Sequence, residues 1–233
     1  MWGQAALAMW WDMAPDIRDE FEHWHSHEHF PERLGLPGFQ RASRWADAAG
    51  GEGFFVLYEL ATYEALVSPE YQARLNAPSD WSRRMMPHHR NMVRSQCRVL
   101  EQSGGAVAGH ALTVRLSPVA DASAPWRENL RANLRAHLRT LVHALPLQAG
   151  LTGAVLLQTD TPAIAPTTEQ AIRGHADIAA DWVLVVTGYD AAALTLLEQG
   201  PLSRDSLEVA GASQGTTVGA YQLRLTMVDK ELS

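Results

Sequence analysis

Residues 4–58 read QAALAMWWDMAPDIRDEFEHWHSHEHFPERLGLPGFQRASRWADAAGGEGFFVLY, and this stretch decides the fold. Gln4 to Trp11, apolar from Ala5 onward and closed by Asp12, has the pattern of a strand buried on both faces. Pro15 followed by Asp16, Asp19 and Glu20 marks a helix start, because negative charge there complements the helix dipole. That helix is expected to run to about Phe30, where Pro31 removes a backbone donor and interrupts it. Leu36-Pro37-Gly38 then turns into a second strand over Phe39 to Trp45, and Ala49-Gly50-Gly51 turns into a third from Gly53 to Tyr58. Continuing outward, Tyr63, Leu66 and Val67 at helical spacing predict a helix over Thr62 to Leu75, and Met92 to Leu100 supplies a fourth strand. The order is βαββαβ.

Beyond Ser103-Gly104-Gly105 the order begins again. A strand at Ala111 to Leu116 precedes a helix with Ser123 as N-cap and Pro125 in its first turn. Trp126, Leu130, Leu134, Leu138, Leu141 and Leu145 form its apolar stripe, and Arg127, Arg131, Arg135 and Arg139 recur every four residues on a face expected to be solvated. Strands at Thr152 to Gln158 and Trp182 to Thr187, a short helix from Ala191 to Glu198 and a last strand at Ala220 to Met227 complete it. The expected class is therefore α+β, with two tandem ferredoxin-like βαββαβ units, residues 1–104 and 105–233. Each unit puts both helices on one face of its sheet. Covering the two bare faces by packing them together predicts a pseudo-dimeric α/β barrel within one chain, with further pairing into a homodimer left open. The long segment Ala77 to Arg90 precedes the first unit's last strand and is expected to cover a cavity.

Composition removes several functional classes. The chain is 46% hydrophobic and can bury a sizeable core. A net charge of −7 provides no basic field for nucleic acid. Cys97 stands alone, so no intramolecular disulfide forms, and no apolar run approaches the roughly 18 to 20 residues of a membrane span. The start MWGQAALAMWWDM lacks a basic region before its apolar run, and the cytoplasm is the expected compartment. Lys230 is the only lysine, which argues against Schiff-base and P-loop chemistry; GxGxxG and paired CxxC motifs are missing as well.

The main chemical signal is a histidine cluster. His23, His25, His27 and His29 fall within residues 22–31, EHWHSHEHFP. On a helix His25 pairs with His29 and His23 with His27, on opposite flanks of a stripe of Ile17, Phe21 and Trp24. One pair can face a cavity; a solvated polar flank is the alternative, and metal or haem ligation a third reading, with two ligands per face and no obvious third. Glu28 projects onto the stripe and is expected to orient or charge a histidine. His110, His137, His143 and His175 are isolated and read as surface or hydrogen-bonded residues.

Trp24-His25-Ser-His-Glu-His29-Phe-Pro31, with Leu36-Pro37-Gly38-Phe39 and Arg44-Trp45 after it, resembles the EthD-like branch of the dimeric α/β-barrel superfamily. The likeness covers residues 15 to 45. It implies a ferredoxin-like barrel with a polar cavity, His29 as the motif histidine and His25 one turn before it. It does not imply a reaction, because the family's activities are varied. The chain departs from the pattern in being a tandem repeat, and its second half lacks an equivalent His-x3-His-x-Pro.

A second cluster, Ser82-Arg83-Arg84-Met85-Met86-Pro87-His88-His89-Arg90, places positive charge in an acidic chain; it suits capture of a carboxylate or phenolate, or else is a solvated loop. The leading expectation is a small-molecule enzyme using histidine acid–base catalysis, of isomerase, lyase or cyclase type, on an aromatic or apolar carboxylate or ketone, with no cofactor required. His29 or His25 takes the proton, Glu28 sets the tautomer, and Arg44, Trp45, Tyr58, Arg84 and His88 bind substrate. A haem or divalent-metal oxygenase and a noncatalytic ligand-binding or stress-response barrel are the rivals. Replacing His29 with Ala is expected to abolish activity with the fold intact, and His27→Ala to matter little.

Overall fold

The computed structural model describes residues 3–105, 107–119, 125–162, 165–174 and 178–229, with backbone alone at 125–129. Along the chain the elements are β1 (Ala5–Asp12), α1 (Arg18–Trp24), α2 (Phe30–Leu34), β2 (Phe39–Asp47), β3 (Gly53–Leu60), α3 (Pro69–Asn76), α4 (Asp80–Met85), β4 (Arg90–Gly104), β5 (His110–Leu116), α5 (Pro125–Ala144), β6 (Leu151–Thr159), α6 (Thr168–Arg173), β7 (Trp182–Gly188), α7 (Ala191–Gln199), α8 (Arg204–Val209) and β8 (Thr217–Val228). The class is α+β. Among the described residues no helix is long and apolar enough to cross a membrane.

One compact unit comprises Trp2–Arg98, Asp160–Ala179 and Arg224–Ser233. In it β1 lies antiparallel between β3 and β4, with Leu7 opposite both Tyr58 and Gln96, and β2 pairs with β3. This is the ferredoxin-like strand order. Side chains alternate, so Leu7, Met9 and Trp11 share a face with Phe54, Val56 and Tyr58, and α1 supplies Phe21 and Trp24 to the same core. The other face carries Trp10 and Trp45, stacked on Phe55 at 5.0 and 5.2 Å.

Pro31 does not interrupt the first helix. From His25 to His29 the helix widens into a π turn in which the Phe30 N–H reaches the His25 carbonyl five residues back, and the helix then continues through Pro31 to Leu34. Widening one turn re-routes the carbonyl partners, so a residue without an N–H fits near the junction. The expected single helix over 62–75 is two pieces. Ser68, preceding Pro69, is extended at ψ 147° and its side chain accepts from the Tyr71 N–H, ending a 3-10 turn (Tyr63–Val67) and capping α3. Residues 77–90 hold α4, capped by Ser79, and a further 3-10 turn at Met86–His88.

Asp160–Ala179 packs onto this unit although it follows β6 in sequence. The Tyr63 hydroxyl donates to the Asp160 carbonyl, Arg98 pairs with the Asp160 carboxylate at 2.8 Å, and the Thr168 N–H donates to Asn76 at 3.0 Å. Within it, α6 carries a capping box between Thr167 and Gln170.

The other unit comprises Met1, Val99–Thr159 and Ala180–Leu223. β5 pairs with β7 and β8, and β6 with β7, giving the order β6-β7-β5-β8, which matches β2-β3-β1-β4 strand for strand. Leu134, Leu138 and Val142 of α5 are buried, and Arg131, Arg135 and Arg139 are exposed, as the four-residue recurrence predicts. Ser123, His175 and Lys230, and the side chains of Trp126 and Arg127, lie outside the described residues. Gly104 closes β4 at φ +69°, where an added Cβ would stand 2.2 Å from the Thr152 carbonyl oxygen; Gly50 has φ +80° with open space around it. Both substitutions to Ala carry the left-handed penalty of about 1 kcal/mol or more. Gly104→Ala should lose further stability through the clash, and equal urea midpoints for the two variants would contradict this contact.

Candidate active site

The widened turn sets the site. With α1, the π turn and α2 continuous, His25, His29 and Arg33 follow one another at four-residue steps on the buried side, 1%, 6% and 2% exposed. His23 and His27 face solvent, their rings 4.6 Å apart. His25 and His29 stack at 5.2 Å, and both line a cavity of about 160 Å3. Its apolar wall includes Leu7, Met9, Trp11, Met86 and Met92; its polar wall adds Tyr58, His89, Arg94, Gln96 and, from residues 160–179, Glu169 and Arg173.

The electrostatics keep the imidazoles neutral. Burial first, then the Arg44 charge, holds His25 well below the usual histidine range, and burial followed by Arg33 does the same for His29. His89 is lowered to about 3 by burial and then Arg173, against the opposing effect of the Met85 and Met86 carbonyls that its Nδ1 meets at 3.2 Å. Burial pushes the Tyr58 phenol upward, so it stays protonated. Arg33 forms an ion pair with Glu169, both buried; burial opposes its charge, and Glu169 with the nearby Tyr71 and Tyr58 phenols raises it overall.

These three histidines fix a pH dependence. In the unfolded chain they titrate near 6.5, whereas in the folded protein they take up protons only at lower pH. The unfolded state therefore binds more protons below about pH 6.5, and stability, complete above that value, falls as pH drops, for His89 down to about pH 3. Each histidine contributes a slope of about 1.4 kcal/mol per pH unit inside its window. Urea unfolding at pH 7.5, 6.5 and 5.5 should show a steepening loss; a flat profile would mean that the imidazoles are charged when folded.

The remaining expected site residues are placed differently. Glu28 is half-buried, and its carboxylate accepts from Trp24 Nε1 at 3.0 Å, from Ser82 Oγ at 3.2 Å and from Ser79 Oγ. It thus fixes an indole, not a histidine; the Trp24 ring in turn packs on His29 at 4.6 Å. Arg44 is buried but engaged by Glu22, through its carbonyl at 3.2 Å and its carboxylate at 3.5 Å, and it is not among the cavity residues. Trp45 opposes Phe55 in register and therefore points to the sheet face away from Tyr58. Arg84 and His88 are exposed, because α4 buries Ser82 and Met85 instead. In the His88-His89 pair it is His89 that lines the cavity. Arg33 was legible from the His25-His29 spacing extended by four; Glu169 and Arg173 arrive from a distant segment and left no local signal.

Among the described residues, no group of three or more His, Cys, Asp or Glu side chains is arranged to hold a metal ion. Drug-sized ligands occupy pockets of about 300 to 1,000 Å3, and a tetrapyrrole is at least that large, so the 160 Å3 cavity does not accommodate one.

No protein-family model matches the chain, and no curated protein does. Solved structures match it in fold. A candidate monooxygenase from Fusobacterium nucleatum has a TM-score of 0.60 at 10% identity, covering 98% of this chain and 96% of that one. An anthrone oxidase-like protein has a TM-score of 0.60 at 10% identity, with 99% and 95% covered. A candidate chlorite dismutase has a TM-score of 0.52 at 10% identity, with 95% and 96% covered. These neighbours are ferredoxin-like dimeric α/β-barrel proteins, and at such identity the likeness is one of fold.

Proposed function

We propose that this protein is a small-molecule enzyme in which His29, assisted by His25, moves a proton to or from a ring-sized carbonyl compound held in the buried cavity. The observation that carries the reading is the pair of buried imidazoles stacked at 5.2 Å against a cavity with a guanidinium one turn further along the same helix. A neutral imidazole accepts a proton from a position next to a carbonyl, and the enolate so formed lies beside Arg33. Negative charge in the cavity raises the basicity of His29 as the proton moves, offsetting the lowering by burial. His25 stays neutral, because two adjacent imidazoliums repel. Glu28 acts through Trp24, whose ring holds the His29 ring in place. Isomerase, lyase and cyclase outcomes share this first step, and the neighbours described as monooxygenase and anthrone oxidase-like make reaction of the carbanion with dioxygen a further outcome to measure. The same proposal keeps the chain in the EthD-like branch as a tandem form, working without a cofactor in the cytoplasm.

The test is deuterium exchange. Single-ring ketones and carboxylates are incubated in D2O and followed by NMR, with dioxygen uptake recorded in parallel. Exchange next to the carbonyl by the wild type and its loss in His29→Gln support the reading. Exchange that persists in the variant removes it.

A further inference from the structure

Buried polar atoms without partners gather at this cavity, and most of them are donors. Trp11 Nε1, Arg33 Nη1, Tyr58 Oη and Gln96 Nε2 belong to cavity residues, as do His25 Nδ1 and His29 Nδ1, which donate or accept according to tautomer, and none has a hydrogen-bond partner. Tryptophan and arginine nitrogens only donate. The Gln96 amide is oriented by Arg94, whose Nη1 donates to Gln96 Oε1 at 2.9 Å, so the orphaned end is its NH2. The Tyr58 hydroxyl both donates and accepts, and as a protonated phenol it adds a donor. In folded proteins buried polar groups are nearly always paired, and a cluster of orphans marks a missing partner. Here the partner must supply acceptors. A carboxylate agrees with this set, since it only accepts, with two oxygens, and one of the donors, Arg33, is a guanidinium. Size narrows the class, since a cavity of about 150 Å3 holds a benzene ring and this one is about 160 Å3. Leu7, Met9 and Met92 furnish the apolar wall such a ring needs.

We propose that the cavity binds a single-ring carboxylate, its ring against the Leu7, Met9 and Met92 wall and its oxygens received by Trp11, Arg33, Tyr58 and Gln96. The inference rests on the reading of this cavity as the active site and names its substrate class. A ring of this size enters whole; fused tricyclic acids do not.

The probe is benzoate, titrated calorimetrically into the full chain at pH 7.5, with benzamide as the neutral isostere and anthracene-9-carboxylate as the oversized acid. Benzoate should bind saturably, and benzamide at least about tenfold more weakly, because a hydrogen bond to a charged group contributes about 10- to 100-fold in affinity. Tyr58→Phe and Trp11→Phe each delete one donor that has no partner in the free protein. Each should weaken benzoate by about tenfold or more and benzamide by less, because a neutral oxygen accepts the weaker hydrogen bond; Tyr58→Phe removes one oxygen and no ring volume and should keep the melting temperature close to wild type, and Trp11→Phe stands in should it misfold. Equal affinity for benzoate and benzamide, unaltered benzoate affinity in both variants, tighter binding of the tricyclic acid, or no benzoate binding at about millimolar concentration would each overturn the inference. Exchange of a neutral ketone that depends on His29, in a protein indifferent to benzoate, would overturn this inference and leave the acid–base reading standing. Donor-dependent benzoate binding with no exchange in any compound would do the reverse.

Discussion

His29→Gln should reduce proton exchange or turnover by about two to four powers of ten, the contribution of a positioned general base, while His27→Ala leaves it unchanged. The two residues are nearly adjacent in sequence and opposite in environment: His29 is 6% exposed, packed on Trp24 at 4.6 Å and on the cavity, whereas His27 is exposed with its Nδ1 on the His23 carbonyl at 3.0 Å. From the sequence, His29→Ala is expected to abolish activity with the fold intact. Burial changes that choice. Alanine would leave a void beside Trp24 and cost stability as well as activity, so an effect on turnover could not be separated from a loosened helix. Glutamine keeps much of the volume and the ability to hydrogen-bond without a basic nitrogen. Thermal melts of His29→Gln should lie close to wild type, and benzoate affinity should hold within a few-fold because the donors are elsewhere. Turnover of His29→Gln within a factor of about three of wild type would remove the imidazole from the chemistry.

What the sequence made legible follows the range of the interactions involved. β1, β2 and β3 and the Gly/Pro turns between them were readable because each is set by local pattern and backbone rule, and the same holds for α5 with Leu134 and Leu138 inside and its arginines outside. The i, i+4 rule divided His25 and His29 from His23 and His27 correctly. The misreadings have local physical reasons. Pro31 looked like a stop because the expected helix had the regular α repeat, and the π turn at 25–29 removes the conflict. Period-two alternation, applied across the β2–β3 register, would have put Trp45 on the face away from Tyr58, but the register is not visible in one strand. The choice between His88 and His89 depends on how the 3-10 turn at Met86–His88 hands the chain to β4. Glu169, 136 residues from Arg33, was beyond any local reading.

That long-range pair yields the largest expected change in stability. Arg33 and Glu169 are 2% and 4% exposed, and Glu169 sits in α6 of the 160–179 segment, so the ion pair ties that segment to the helix bearing His25 and His29. Removing one member of a buried pair strands the other charge in a low-dielectric site, at a cost of about 3 to 5 kcal/mol, whereas replacing both with apolar residues of similar volume is often close to neutral. Glu169→Ala should therefore lower unfolding stability by about 3 kcal/mol or more, and the double variant Arg33→Met with Glu169→Leu should recover most of it, measured by urea unfolding at pH 7.5. A loss below about 1 kcal/mol would place the pair with exposed ion pairs, whose contribution is of that size, and would contradict its burial. The stranded guanidinium also connects stability to ligand. A carboxylate entering the cavity can replace the missing negative charge at Arg33, so benzoate should raise the melting temperature of Glu169→Ala more than that of wild type, and should raise that of the double variant least, because Trp11, Tyr58 and Gln96 remain but no guanidinium meets it there. Equal shifts in all three proteins would show that Arg33 is not among the groups that receive the carboxylate.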